Sequence, residues 1–226
     1  MSHFDPLAIR AAVFDFDGTL AETNIDFAGM RAGVLEVADR WGMRERVDGQ
    51  RYILEIVEQV LALLPDEDAR MRFAREAEEA MQRVELEACS AAQPFAGVPE
   101  ALQRLIDAGV RVGIITRNCR LGVGAVTDRH PLPHEVLLTR DDVELVKPDP
   151  SHLRLALAAL DVPPEQAIMV GDHPTDIQTG HAAGAFAAGV LTAKTTREQF
   201  EELRPDLIAE DVPRLVELLL AARGRG

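Results

Sequence analysis

The stretch Val13-Phe14-Asp15-Phe16-Asp17-Gly18-Thr19-Leu20 decides how the rest of the chain is read. Residues 11 to 16 are short and largely apolar, and Asp17-Gly18 stops them, so they read as a buried strand ending in a turn. Side chains alternate along a strand, so Asp15 and Asp17 emerge on the same side. Two carboxylates at the end of a buried strand repel each other and resist desolvation. A positive charge should sit between them, and a divalent cation is the economical choice. A lone pair of this spacing also ends strands as two solvated acids, so the motif by itself leaves both readings open.

Size and charge narrow the field. At 226 residues the chain can hold one large domain, or one domain with a smaller one inserted. Apolar residues make up 47%, enough for a sizeable core, and the net charge of −14 argues against broad attraction to nucleic acid or an anionic membrane. An acidic protein that takes an anionic substrate needs a local positive centre, which again points to a metal. Cys89 and Cys119 belong to no C-x-x-C pair, so they predict ordinary thiols rather than a zinc site. No basic segment followed by an apolar run opens the chain, and no window approaches the ~20 apolar residues of a membrane span. The expectation is a soluble cytoplasmic protein. Of 24 basic residues only Lys147 and Lys194 are lysines. Lysine is a compact point charge and arginine a wide planar fork. A site that admits only the former would account for Lys147; chance is the alternative.

After Leu20 the pattern turns helical until about residue 92. Val34, Val37, Ala38 and Trp41 recur at helical spacing, and Ile53, Ile56, Val57, Val60, Leu61 and Leu64 form a cleaner stripe. A third helix, from about Glu67 to Ala88, should turn Met71, Ala74, Met81 and Val84 inward. These stripes read as packing faces of a small helical bundle. Residues 93–99 look like the return linker. Strands and helices then alternate: a helix opened by Pro99, a strand over 110–116, a glycine-interrupted helix after Leu121, and a short strand over 135–138. Next come a helix capped by Ser151, a strand over 167–170, a helix over 174–183, a strand over 185–191 and a last helix over 212–222. Such alternation means right-handed crossovers and a parallel sheet. The fold class predicted is α/β: a doubly wound, Rossmann-like parallel-sheet core, residues 1–19 and 96–226, with an inserted α-helical cap, residues 20–95.

In an open parallel sheet, ligands bind beyond the carboxyl ends of the strands. Four polar signals fall there: Asp15 with Asp17; Thr116-Arg117-Asn118; Lys147; and Gly171-Asp172-His173-Pro174-Thr175-Asp176. Each has a plain explanation alone, as a strand-end residue, a turn lysine or helix-start acids favoured by the dipole. Their order and places together favour a site.

Asp15-Phe16-Asp17-Gly18-Thr19, Thr116, Lys147 and Gly171-Asp172-x-x-x-Asp176 resemble the four motifs of the haloacid dehalogenase-like hydrolase superfamily, and the insert resembles the helical cap of its phosphoglycolate phosphatase-like members. The resemblance implies a phosphatase acting on a small phosphorylated metabolite, such as a phosphoglycolate-like compound or a sugar phosphate. Asp15 would attack phosphorus and form an aspartyl phosphate, and Asp17 would act as acid and then base. Magnesium is the implied cofactor, held by Asp15, the main-chain carbonyl of Asp17 and Asp172, with Asp176 orienting that set. Gly18, Thr116, Arg117, Asn118 and Lys147 would hold the phosphoryl group, helped by a helix start.

Dehalogenase members of the family lack the second aspartate, so Asp17 favours phosphate chemistry. Phosphonate-cleaving members use a cap lysine, and residues 20–95 contain none. Phosphosugar mutases share motifs and cap and are the alternative reading; a catalytically silent binding module on the same fold is a more distant one. Glu22-Thr23 stands where the family often has Asp-Ser, which keeps an acid and a hydroxyl. Arg44, Arg46, Arg51 and Tyr52, near a cap turn, could reach a second anionic group of the substrate, and are otherwise a solvated helix face. His173 is read as shaping its loop, with substrate contact as the alternative.

Overall fold

The structure is a computed structural model and describes residues 5–223. Two compact units partition the chain by contact: residues up to Thr23 together with those from Ala92 onward, and Asn24–Ala91. Residues 20–23 and 92–95, placed in the insert by the sequence pattern, group with the first unit. There Ala21 bridges Pro94 in antiparallel fashion, and the Phe95 N–H donates to the Leu20 carbonyl at 3.0 Å. The outermost residues of the expected core, 1–4 and 224–226, lie outside the described residues.

The first unit is built on six parallel strands: β1 (Ala11–Phe14), β2 (Arg111–Ile115), β3 (Val136–Leu138), β4 (Ala167–Gly171), β5 (Phe186–Val190) and β6 (Leu207–Ala209). Their spatial order is β3-β2-β1-β4-β5-β6. All four residues of β1 are buried, which is what a strand covered on both faces of a parallel sheet requires, and explains its unbroken apolar run. Phe14 stands in register with Ile114 on one side and Val170 on the other. The chain leaves β1 towards β2 and β3, then returns to β4 on the opposite flank. That reversal opens a crevice beyond the carboxyl ends of β1, β2 and β4.

The helices that follow these strands are α4 (Val98–Asp107), α5 (Arg120–Thr127), α6 (Pro150–Ala159), α7 (Pro174–Ala183), α8 (Arg197–Leu203) and α9 (Val212–Arg223). Leu153, Ala156, Leu157 and Leu160 of the α6 segment bury against Val13, Ile115 and Met169 of the sheet. Asp149, not Ser151, caps α6: its carboxylate accepts from the Ser151 N–H at 2.8 Å, and Pro150 takes the first helical position. A residue before proline is pushed into extended backbone, so the boundary falls one position before Pro150. α8 and β6 were absent from the sequence pattern. β6 has three residues, and its pairing with β5 (Ala188 to Leu207) is long-range; α8 buries Phe200 among exposed Arg and Glu. The local signal for α8 was present as a capping box of Thr196 and Gln199.

The second unit is three helices: α1 (Phe27–Arg40), α2 (Ile53–Leu63) and α3 (Glu67–Ala91). Val34, Val37 and Ala38 of α1, Ile56 and Val60 of α2, and Phe73, Ala77 and Met81 of α3 form one core. Trp41 packs edge-on to Phe73, with ring centroids 6.0 Å apart. Met71, predicted to face inward, is 57% exposed, and Phe73 takes the inner position. The buried positions on α3 run Ala69, Phe73, Ala77, so a residue two places off that register points to the opposite side. Among the described residues, no helix is long and apolar enough to cross a membrane.

The α3 register makes a direct prediction. Phe73→Ala should cost about 3 kcal/mol or more, whereas Met71→Ala should stay within about 0.5 kcal/mol. Urea unfolding of the two variants checks this, and equal losses would mean that the α3 register is wrong.

Candidate active site

Every polar signal singled out in the sequence comes from a loop at the carboxyl edge of the sheet. Just past β1, the Asp15 N–H still donates to the Val170 carbonyl at 2.8 Å, so the strand's pairing carries Asp15 to the sheet's rim. Its Oδ1 accepts from the Phe16 N–H and from Lys147 Nζ, each at 2.7 Å. Asp17 faces different partners. Its carboxylate accepts from the Thr116 hydroxyl and from Asn118 Nδ2, each at 2.9 Å, and from Thr23. Asp17 is pushed up to about 6, by burial first and then by Asp15, against the pull of those donors.

Directly after these acids the chain turns at Gly18, whose φ is +78°. A Cβ there would lie 2.8 Å from Asp172 Oδ2, so only glycine lets the turn pass so near that carboxylate. The next residue, Thr19, donates its hydroxyl to Asp172 Oδ1 at 2.7 Å. The loop after β1 and the loop after β4 are thereby locked together at Asp172.

Lys147 enters ahead of α6, with its side chain 1% exposed. Its ammonium sits 2.7 Å from Asp15 Oδ1 and 2.7 Å from Asp176 Oδ1. Burial works against the charge, but Asp15 and Asp176 outweigh it and raise Lys147 above its ordinary value. Asp176 lies on the first turn of α7, where its Oδ2 accepts from the His173 N–H at 3.1 Å. A Cβ on Gly171 would lie 2.1 Å from that Oδ2; the glycine leaves the space that Asp176 fills. Asp172 is raised to about 7 by burial, then by Asp15 and Asp176. Asp176 is raised to about 6, by burial and Asp15, with Lys147 opposing.

Thr116 and Asn118 follow β2. The Thr116 N–H donates to the Leu138 carbonyl at 3.0 Å, and its hydroxyl accepts from the Asn118 N–H at 3.0 Å. Arg140, beyond β3, supports this loop from outside: its N–H donates to the Asn118 carbonyl at 3.2 Å, and its guanidinium to the Arg117 carbonyl at 3.0 Å. Cys119 begins α5 as its cap, accepting from the Gly122 N–H at 3.3 Å; both cysteines are buried. His173 caps α7, its Nδ1 accepting from the Thr175 N–H at 3.3 Å. Burial and the charge of Arg117 push the ring down to about 4, which keeps it neutral. In the helical unit, Arg44 and Arg46 form a short turn, and Arg51 lies 3.7 Å from Asp48 and 3.4 Å from Glu55 on an exposed face.

Asp15, Asp172 and Asp176 each offer an oxygen within 4.8 Å of the others. Asp17 stands outside that trio by its side chain. Lys147 pairs with two of the three acids, and burial and Asp15 raise Asp172, so the trio could hold a further cation. An all-oxygen set of this kind suits a hard divalent ion such as Mg²⁺. The sequence pointed to Asp15, Asp17, Thr116, Asn118, Lys147, Asp172 and Asp176, and the structure brings them together. It did not assign roles to Thr19, Thr23 and Gly171. A hydroxyl two places beyond the second acid was the only visible sign of Thr19; nothing local marks Gly171 as the space for Asp176.

A protein-family model described as haloacid dehalogenase-like hydrolase matches residues 9–184. The pyrophosphatase PpaX of Bacillus thuringiensis (strain Al Hakam) is 36% identical over 129 residues, 56% of this chain and 60% of that protein. The chain therefore aligns with about 60% of the length of this curated relative. A haloacid dehalogenase-like hydrolase from Bacteroides fragilis superposes with a TM-score of 0.67 at 26% identity, over 92% of this chain and 99% of that one. CbbY from Rhodobacter sphaeroides, in complex with phosphate, superposes with a TM-score of 0.63 at 24% identity, over 92% and 96% of the two chains. The latter likeness shows the fold alone.

The crowded acids set the pH dependence of stability without metal. A carboxyl whose folded value lies above its ordinary 3.8 stabilises the fold when protonated, and that contribution is lost as pH rises through the folded value. For Asp172 the window runs from about 4 to about 7. Chelator-treated protein should lose more than about 1 kcal/mol across this range, the worth of a single pKa unit. Asp172→Asn should flatten the loss, and Mg²⁺ at pH 7.5 should restore stability to the native protein but not to the variant. Thermal unfolding with and without chelator reads all three.

Proposed function

The chain belongs to the haloacid dehalogenase-like hydrolase family, and from that premise we propose that it is a Mg²⁺-dependent phosphatase of a small phosphorylated metabolite, working through a phosphorylated Asp15. The observation that carries this reading is the buried ammonium of Lys147 against Asp15, with Asp172 and Asp176 completing an acidic trio at the same carboxylate.

Lys147 orients Asp15 and neutralises part of its charge, so that an anionic phosphoryl group can approach a carboxylate. The free oxygen of Asp15 attacks phosphorus, the bond to the leaving alcohol breaks, and the alcohol oxygen takes the proton of Asp17. With a value of about 6, Asp17 holds that proton in part of the population near neutrality. In the second half Asp17 removes a proton from water, which attacks the aspartyl phosphate and releases inorganic phosphate. Asp15, the Asp17 carbonyl and Asp172 would hold Mg²⁺, which when bound supplies charge for the phosphoryl oxygens.

The donors of Thr116 and Asn118 have a double use in this reading. Here they hold Asp17. A phosphoryl group would compete for the same donors. Arg117 follows Thr116 in the same loop, its charge acts on the His173 ring, and it would add positive charge for the phosphoryl group. Substrate arrival would then release Asp17 towards the leaving group. Binding and proton transfer would be coupled through two hydrogen bonds.

Release of inorganic phosphate from p-nitrophenyl phosphate tests the proposal. The wild type should require Mg²⁺. Asp15→Asn should abolish turnover, and Asp17→Asn should lower kcat by about 10²–10⁴. A panel of phosphorylated acids, sugar phosphates and pyrophosphate then ranks substrates. Conversion of a sugar phosphate to its isomer without phosphate release would indicate the mutase instead, and an Asp15→Asn enzyme with native turnover would end the proposal.

A further inference from the structure

Gly18 creates a problem that it does not solve. The approach of Asp172 Oδ2 excludes any side chain at this position, and φ is +78°. Glycine is the residue least able to hold one backbone conformation by itself. Yet the peptide groups on either side carry Asp17, whose carbonyl the metal-dependent reading assigns to the cation, and Thr19, whose hydroxyl donates to Asp172. The turn must be held by something else.

Its N–H donates to the Ala21 carbonyl at 2.9 Å, within the same loop. Its carbonyl is held from far away in sequence: the Thr192 hydroxyl donates to it at 2.5 Å, across 174 residues. Thr192 follows β5, which is separated from β1 by β4, so its side chain reaches past the end of β4, where Asp172 lies. Its own support is firm. Leu191 donates its N–H to the Ala209 carbonyl of β6 at 3.1 Å, and Val190 pairs with Ala209 in the sheet.

We propose that Thr192 is a positioning residue for the metal site, fixing the Gly18 turn so that the Asp17 carbonyl and the Thr19-bound Asp172 carboxylate converge on one cation. This rests on the metal-dependent reading above. Thr192 touches neither substrate nor metal; it acts through one hydrogen bond to a glycine carbonyl. Without it the Gly18 carbonyl loses its partner and the turn is free to rotate, and Thr19 moves with it. Asp172 then loses both its neighbour's hydroxyl and its fixed distance to Asp15.

The test is calorimetric titration of chelator-stripped protein with Mn²⁺ as the probe, beside thermal unfolding. Thr192→Val keeps shape and removes the hydroxyl; it should weaken Mn²⁺ binding about tenfold, the lower end for partners that orient metal ligands. Thr192→Ser restores the donor and should bind within about twofold of wild type. Thr196→Ala, which removes the α8 cap, should lower the melting temperature and leave Mn²⁺ affinity unchanged, separating a loss of stability from a loss of position. Native Mn²⁺ affinity in folded Thr192→Val, or equal weakening in the Ser and Val variants, overturns the role of Thr192 alone. A wild type that takes up no Mn²⁺ overturns both this proposal and the metal-dependent reading.

Discussion

A lysine ammonium shut away from solvent between two aspartates is the constraint around which the sheet-bearing unit is arranged. Lys147 is nearly inaccessible, and Asp176 wholly so. A buried charge is tolerable only if its partners stay in place, because losing one partner leaves the other uncompensated. Asp15 follows β1, Asp176 lies on the first turn of α7, and Lys147 comes from a third segment. The pairing therefore demands that the loops after β1 and β4 and the segment before α6 meet at a single point. The glycines at 18 and 171 are consequences of that demand, since each clears the volume that a carboxylate occupies.

The cluster is not electrically complete. One ammonium stands against three carboxylates, and both Asp172 and Asp176 are held above their ordinary range by burial and the charge of Asp15. A fold that gathers acids in this way gives up stability near neutral pH in exchange for an attraction to cations. Asp17 is treated differently. Three hydrogen-bond donors surround it, yet burial prevails and keeps its affinity for a proton near neutrality. Neighbouring carboxylates on one short loop thus have different surroundings, one facing an ammonium and the other hydroxyl and amide donors.

The sheet order explains how so short a motif gathers its partners. β1 lies between β2 and β4, and the chain reverses direction across it. Loops after neighbouring parallel strands open on the same edge, so residues a hundred positions apart become neighbours without any long excursion. β5 and β6 extend this arrangement outward. They bring the Thr192 hydroxyl to the carbonyl of Gly18.

Much of this was readable from residue types and spacing. The unbroken apolar run of β1 and the strand–helix alternation identified an α/β sheet, and the acids, hydroxyl and lysine placed after successive strands marked residues that the structure gathers at one edge, because burial on two faces and strand-end placement leave local marks. Helix phase was less secure: Met71 and Phe73 are equally apolar, and only packing chose Phe73. Asp149 displaced Ser151 as a cap through the backbone preference imposed by Pro150. What spacing could not supply was the partner of each group. That Lys147 joins Asp15 to Asp176, that Thr19 holds Asp172, that Asp17 faces Thr116 and Asn118, and that Thr192 holds Gly18 all depend on contacts spanning from 29 to 174 residues. Chemistry and order belong to the chain, but such distances close only when the sheet has formed, because hydrogen bonds require positions in space that no local pattern encodes.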